Sequence, residues 1–284
     1  METTAVLLNG RNDGYKEDER FVACINSMLE TFDEVWYCDW NSPLESGSLL
    51  WKVADQIPKT GRIRHYVIDP ETALLLTNND PKIGGFSYIL PQNLMLKRCT
   101  ADWIVSSALD IIPPKKEYFR NFISKADKDT FYTVSRRDVE YSELEKDNFD
   151  WRKFRDRMDE VSQPRYFPTK VTPNDNYSII NCCGDFQLAH KNVWHTIKGF
   201  EEQMVYACYQ DTNIQKKAVL NKFNLQAYYD LPLYHLSHKG MGNDGSSPSK
   251  QVYNSALKWV EYFDKSENLD TWGYGPIEIE YETI

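Results

Sequence analysis

The sequence has no excess of positive charge: 33 Lys and Arg face 42 Asp and Glu, a formal charge of -9 over 284 residues. This excludes a dedicated nucleic-acid binder, whose affinity comes mainly from Lys and Arg on phosphates. Any phosphate must be met locally, by a few cations or a metal. No stretch reaches the roughly 18 apolar residues that span a bilayer. The opening "METTAVLLNGRND" has no basic lead-in and no cleavage pattern, so it reads as a strand rather than a signal peptide. Cys24, Cys38, Cys99, Cys182, Cys183 and Cys208 form no CxxC pair and no metal-knuckle spacing. Reduced thiols in a soluble, cytoplasmic protein are the expectation. No internal repeat is found, and the length fits one large α/β domain or two small ones at about 150 residues each.

What is present is an α/β alternation. "AVLLN" (5–9) is an apolar strand that stops in the turn-forming "GRNDGY". Residues 18–32 carry helical spacing through Phe21, Ile25, Met28, Leu29 and Phe32, and "DEVWYCDW" is a strand ending at Asp39. Strand, helix, strand in this order predicts a right-handed parallel unit whose functional loops lie at the strand C-terminal ends. The theme repeats: "LLWKVADQI" looks helical, "IRHYVI" is a strand, and "PQNLMLKRCTADW" is a helix leading to "WIVSSALD", which finishes at Asp110. Arg11 to Asp13, Asp39 to Asn41 and Asp110 thus fall on one edge.

Residues 124–168 mix charges of both signs with aromatics and have no long apolar run, which predicts a solvated helical excursion or an acceptor-binding lobe. Strand character then surrounds a Gly184-Asp185 turn, with a helix starting near Asn192. "LYHLSHKGMGNDGSSPSK" places two histidines before a Gly- and Ser-rich segment long enough to move. In "YACYQDTNIQKKAVL" an aromatic, strand-like run passes at Gln210-Asp211 into helical spacing through Ile214, Ala218 and Val219. Asp211 is a good helix cap there, and a carboxylate fixed at a helix start is also well placed to act as a base. With eighteen Tyr and eight Trp, flat rings are plentiful. Trp194 and Trp272 are expected to pack rather than to serve as sugar platforms.

Taken together, these segments resemble a GT-A fold inverting glycosyltransferase, similar to the family of galactosyl- and N-acetylgalactosaminyltransferases and chondroitin-synthase-like enzymes. "GRNDGY" with "EVWYCDWNSP" resembles the first strand and the nucleotide-binding strand end. "ADWIVSSALDIIP" resembles the strand carrying the DxD metal motif. "NCCGDFQLAHKNVWHTIKGFEEQM" resembles the sugar-donor segment and leads into "YACYQDTNIQKK", similar to the segment that ends in Glu-Asp. The resemblance spans roughly residues 5 to 275 and implies a mixed, mainly parallel sheet flanked by helices. It divides a single domain, 1–284, into a nucleotide-binding half (5–123), the charged helical excursion (124–168) and an acceptor and catalytic half (169–284). The chain departs from the pattern twice: DxD reads Ala108-Leu109-Asp110, and Glu-Asp reads Gln210-Asp211.

The resemblance implies a nucleotide-sugar donor, with UDP as its nucleotide, and a glycan or glycoconjugate acceptor. It implies Mn²⁺ or Mg²⁺ held by Asp110 and His238, with His235 as the substitute ligand. Hard oxygen and imidazole suit that metal, which neutralises the leaving diphosphate. Asp211 would be the base, assisted by Gln210, and a helix N-terminus is expected to favour its charged form. Asp185 would meet donor-sugar hydroxyls, and Lys239 a phosphate. Asp39 is placed to accept from a nucleobase N–H, and Arg11 or Asn12 to touch base or phosphate; turn structure is the alternative for all three. Two rivals remain. A sugar-phosphate nucleotidyltransferase needs a Gly-rich, basic loop after its first strand, which "GRNDGYKEDER" is not. A degenerate, non-catalytic nucleotide- or glycan-binding module is the other, suggested by Ala108 and Gln210.

Overall fold

The computed structural model describes residues 2–12, 18–77, 87–161, 170–171, 184–204, 210–237, 268–275 and 279–284. His238, Lys239, the segment 240–250, Asp13, Cys182, Cys183 and Cys208 lie outside the described residues. Cys24, Cys38 and Cys99 are buried and free.

The apolar runs form the strands expected of them. In chain order the first half holds β1 (Thr4–Gly10), α1 (Asp18–Thr31), β2 (Glu34–Trp40), α2 (Leu49–Lys52), β3 (Ile63–Ile68), α3 (Pro70–Leu76), α4 (Ile89–Arg98), β4 (Trp103–Ser107), β5 (Ile111–Ile112) and α5 (Lys116–Ile123). There follow β6 (Thr130–Val134), β7 (Arg137–Glu140), α6 (Tyr141–Glu145), α7 (Trp151–Val161), β8 (Lys170–Val171), β9 (Phe186–His190), α8 (Lys191–Thr196), α9 (Gln210–Leu220), β10 (Asn224–Tyr228), β11 (Tyr234–Ser237) and β12 (Tyr281–Thr283). The central sheet has the order β12-β3-β2-β1-β4-β9-β6-β10-β8. β3, β2, β1, β4, β6 and β10 run in one direction, while β12, β9 and β8 are reversed. The sheet is therefore mixed, mainly parallel and flanked by helices.

Every residue of β1 is buried, because it is paired on both sides and covered on both faces. One face packs Val6, Leu8, Val35, Val105 and Leu188 against Phe21, Ile25, Met28 of α1 and Phe119, Phe122 of α5. The other packs Ala5, Leu7, Ile104, Ala189 and Phe131 against α4, α8 and Ile214, Ala218 of α9. Trp194 and Trp272 belong to this second core, and Trp194 Nε1 donates to the Ile104 carbonyl at 2.9 Å. Burial on both faces explains why the strands read as continuous apolar runs.

The charged stretch after residue 124 holds the helices α6 and α7, but it begins with β6, whose five residues are all buried. A five-residue core strand is short enough to be hidden by charged neighbours. Those charges pair: Arg155 and Arg152 of α7 meet Glu30 of α1, and Arg157 meets Glu143 and Asp147. β7 leaves the main sheet for a smaller one, ordered β5-β11-β7.

At the N-terminal edge of the main sheet Asp102 accepts from the Thr3 amide at 3.0 Å and pairs with Lys191 at 2.9 Å. The Thr3 amide, and then Lys191, pull its carboxyl down to about 2. A depressed carboxylate contributes stability that is present above its unfolded value and is lost as pH falls through its folded value. Asp102→Asn should therefore melt lower than wild type at pH 7, and the two should converge as pH approaches about 2, as scanning calorimetry across that range will show.

Candidate functional site

The strand directions put the C-terminal ends of β1, β2, β4 and β6 on one edge, together with the start of the reversed strand β9. Polar residues follow each end. Ala108 after β4 donates its N–H to the Asp185 carbonyl at 3.1 Å, and Ser107 Oγ donates to the same carbonyl at 2.9 Å. The backbone at the first position of Ala108-Leu109-Asp110 thus anchors the turn that carries Asp185.

Asp110 meets an imidazole, and the small sheet brings it there. The register of β11 pairs His235 with Ile111 of β5 on one side and Asp138 of β7 on the other, and the Leu236 N–H donates to the Asp110 carbonyl at 2.8 Å. His235 Nε2 lies 3.3 Å from Asp110 Oδ2, and its Nδ1 lies 3.1 Å from Asp138 Oδ1. A carboxylate on the far ring nitrogen fixes the tautomer and leaves Nε2 as the ligating atom, the usual arrangement around a metal-binding histidine. Asp110 and His235 therefore fit a divalent cation as two protein ligands, with Asp138 orienting the ring. Among the described residues no group of three or more His, Cys, Asp or Glu converges as a metal cage, so bound oxygen atoms would complete the shell.

Arg136, in the Ser135-Arg136 link between β6 and β7, joins this line to the Asp185 turn. Its Nε pairs with Asp138 Oδ1 at 2.8 Å and its Nη1 pairs with Asp185 Oδ2. Gly184 in turn abuts Asp211: a Cβ built on it would lie 2.8 Å from Asp211 Cβ. Gln187 of β9 donates to the Asp211 carbonyl at 3.1 Å, and Tyr88 OH bonds Ser106 Oγ at 3.1 Å and the Gly184 carbonyl at 3.3 Å. Asp110, His235, Asp138, Arg136, Asp185, Gly184 and Asp211 are thus joined by successive contacts.

Asp211 lies in the first turn of α9, and its carboxylate accepts from the Thr212 N–H at 2.9 Å. Burial pushes its proton affinity up, more than the Thr212 amide pulls it down. This corrects the expectation that the helix start would keep it weakly basic: at a buried helix end the cost of desolvating a carboxylate outweighs the end-charge of the helix. Gln210 is buried and gives its side-chain N–H to the Met204 carbonyl at 2.6 Å, a structural bond rather than an exposed recognition group.

The remaining candidates lie at the ends of β1 and β2. Asn12 spends its amide hydrogens on the carbonyls of Ser46 and Gly47, at 3.2 and 3.0 Å, and its N–H on Ser42 Oγ at 2.6 Å. It holds the turn, the alternative foreseen for it. Arg11 Nε is buried and makes no hydrogen bond. Asp39 is fully buried, its Oδ2 receives Tyr37 OH at 3.4 Å, and its Oδ1 has no hydrogen-bond partner. Burial raises its carboxyl, with the hydroxyls of Ser42 and Ser48 and the Leu49 N–H opposing. A cleft of about 280 Å³ lined by Trp36, Arg64, Tyr66 and Tyr281 lies away from all these residues, and none of the candidates faces it.

Sequence reasoning missed Arg136 and Asp138. The signal was "TFYTVSRRD", an apolar strand ending on charges as the other strands at this edge do, hidden by the helical reading of its surroundings.

No protein-family model and no curated protein matches the chain. Solved structures do resemble it. Staphylococcus aureus TarS 1-349 in complex with UDP-GlcNAc superposes with a TM-score of 0.56 at 16% identity, covering 94% of this chain and 68% of that one. S. aureus TarS gives 0.53 at 13% identity over 94% of this chain and 40% of its own. The mannosyltransferase PcManGT from Pyrobaculum calidifontis, in complex with GDP-Man and Mn²⁺, gives 0.53 at 12% identity over 90% and 64%. The fold is GT-A-like. The chain spans 65% of the length of S. aureus TarS 1-349.

Two outcomes follow from the Gly184 and Asp211 geometry. Gly184→Ala forces its new methyl into Asp211 and should lower stability in urea by about 1–3 kcal/mol, the usual cost of overpacking. Asp211→Asn removes a carboxylate whose ionisation folding opposes. A raised carboxyl destabilises above its folded value and not below its unfolded one, so this variant should melt higher than wild type at pH 8 and show no gain near pH 3.

Proposed function

We propose that the chain is a glycosyltransferase that moves a sugar from a nucleotide-diphosphate donor, a UDP-sugar, to a hydroxyl of a glycan or glycoconjugate acceptor, with inversion. One observation carries this reading: on the C-terminal edge of a GT-A-like sheet, the Asp110–His235–Asp138 line and the Asp185–Gly184–Asp211 contact are joined through Arg136. The neighbours of the same fold, solved with UDP-GlcNAc or with GDP-Man and Mn²⁺, support a nucleotide-sugar donor. The finer likeness to galactosyltransferases and chondroitin-synthase-like enzymes rests on the sequence motifs. A single transferase unit over 1–284, working in the reducing cytoplasm, belongs to the same proposal.

Inversion needs an acceptor oxygen to approach the anomeric carbon opposite the diphosphate while one carboxylate takes its proton. Asp211 is that carboxylate. Its burial makes it a stronger base than an exposed aspartate, and Gly184 leaves room for it where a side chain would displace it. Asp185, held by Arg136 and by the Ala108 amide, offers paired oxygens to donor-sugar hydroxyls. Asp39 accepts from the nucleobase with its unpartnered oxygen, and Arg11 approaches the base or phosphates. Mn²⁺ or Mg²⁺ held by Asp110 and His235 supplies, when bound, positive charge for the leaving diphosphate. His238 is proposed as a further ligand of that metal and Lys239 as a partner of a donor phosphate.

The test is nucleotide release from a panel of UDP- and GDP-sugars in the presence of acceptor glycans, with Mn²⁺ and with chelator. One donor should be turned over. Asp211→Asn should cut turnover roughly 100- to 10,000-fold, the usual contribution of a general base, and Asp110→Ala should abolish the Mn²⁺ dependence. Nucleotide binding without release from any donor, in wild type and variants alike, would instead establish the non-catalytic binding module that Ala108 and the committed side chain of Gln210 suggest.

A further inference from the structure

The cleft lined by Trp36, Arg64, Tyr66 and Tyr281 lies toward the N-terminal ends of β2 and β3, away from the edge where the proposed reaction takes place. Strand periodicity builds its floor. Glu34 and Trp36 of β2, Arg64 and Tyr66 of β3, and Tyr281 and Thr283 of β12 stand two residues apart within each strand and so share one face. The register sets Trp36 opposite Arg64 and Tyr66 opposite Tyr281. Glu282, between the last pair, turns to the other face, where its Oε1 lies 2.5 Å from Nδ1 of the buried His65. The C-terminal end of α4 brings Arg98 and then Thr100 to the wall, enclosing about 280 Å³.

The floor is aromatic. Trp36 and Tyr66 stack at 5.8 Å, Tyr66 meets Tyr281 at 5.3 Å, and Trp36 meets Tyr281 at 6.3 Å. Trp36 and Tyr66 are buried, whereas Tyr281 is exposed. The walls are cationic, in a chain whose formal charge is -9. Arg64 lies over the Tyr281 ring at 5.6 Å, and its Nη1 donates to Thr283 Oγ1 at 3.1 Å. Arg98 is anchored through Nη1 to the carbonyls of Leu94 and Gly273, at 3.0 and 2.7 Å. Both guanidiniums are half-buried, and burial lowers the proton affinity of Arg98, with Tyr66 opposing. Glu34, the one carboxylate of the lining, accepts the Trp36 Nε1–H at 2.8 Å. Two guanidiniums against one engaged carboxylate leave the cleft electropositive.

Guanidiniums held in place present forked donors that match carboxylate or phosphate oxygens. Flat rings beside them suit the apolar side of a sugar. The volume falls just below the usual range for small-molecule pockets, about 300–1,000 Å³, which leaves room for one sugar unit and not for a whole nucleotide sugar. We propose that this cleft is a second binding site, for a sugar unit carrying a carboxylate or a phosphate, by which the protein holds an acidic glycan away from its catalytic edge. The binding needs neither donor nor metal; only its use, gripping the acceptor, rests on the transferase reading.

The experiment follows the Trp36 indole N–H by NMR, its signal assigned with Trp36→Phe. Glucuronate, glucose-6-phosphate, glucose and inorganic phosphate are added in turn to the full chain, without donor or Mn²⁺. At least one acidic sugar should shift the signal, and whichever binds names the anion. Glucose should bind roughly 10- to 150-fold more weakly, the usual worth of hydrogen bonds to a charged group. Arg64→Gln should remove the preference for the acidic sugar, and Tyr281→Ala, at an exposed position, should weaken acidic and neutral sugar alike. No shift with any of the four compounds overturns the site. So does glucose binding as well as the acidic sugars, or a preference that survives Arg64→Gln. Inorganic phosphate matching glucose-6-phosphate overturns it too, because the rings would then recognise nothing. If no donor releases nucleotide while an acidic sugar still shifts Trp36, the transferase reading falls and the site stands; release with no such shift does the reverse.

Discussion

A strand that is paired on both sides and covered on both faces has nowhere to place chemistry except at its end. β1, with all its residues buried, imposes that condition on its neighbours, and the polar groups of the protein gather where the buried strands stop. The two edges of the sheet then treat the same side chain in opposite ways. Asp102, at the N-terminal edge, sits among donors in partial contact with water and is a weak base. Asp39 and Asp211, at the C-terminal edge, are drawn out of water by burial, and desolvation makes each a stronger one. The difference comes from position in the fold rather than from residue type.

The small sheet assembles what the large one cannot. β5 follows β4 directly, β7 follows the Arg136 turn, and β11 lies between them. One register therefore sets Asp110, His235 and Asp138 in line, and a slip of one residue in β11 would turn the imidazole to the other face. Backbone hydrogen bonds fix this alignment before any ligand arrives, which is the form of preorganisation that electrostatic catalysis requires.

Much of the frame was legible in the sequence because the parallel strands are short apolar runs that end on polar turns. β1 to β4 and α1 follow from that pattern and from helical spacing. The candidate site was legible only in part. Asp110, Asp185 and Asp211 each close or open a recognisable segment, whereas Arg136 and Asp138 follow a five-residue strand set in charged surroundings, where composition favours a helix. His235 lies three residues from His238, and only strand register, a tertiary property, shows which carboxylates it faces. The basicity of Asp211 was misjudged because a helix start is a local feature and burial is not. Glu282 and His65 are 217 residues apart, and no local pattern announces such a pair.

β12 has a second consequence. It covers the outer side of β3 with three exposed residues, one of them Glu282. A six-residue parallel strand such as β3 would otherwise offer a row of open backbone groups to any passing chain, the usual start of edge-to-edge association. A short, charged, reversed strand is a poor template for further pairing. The strand whose Glu282 reaches His65 from outside therefore also ends the sheet among the described residues, so that a lesion in it would appear first as self-association of the protein, before any loss of its fold.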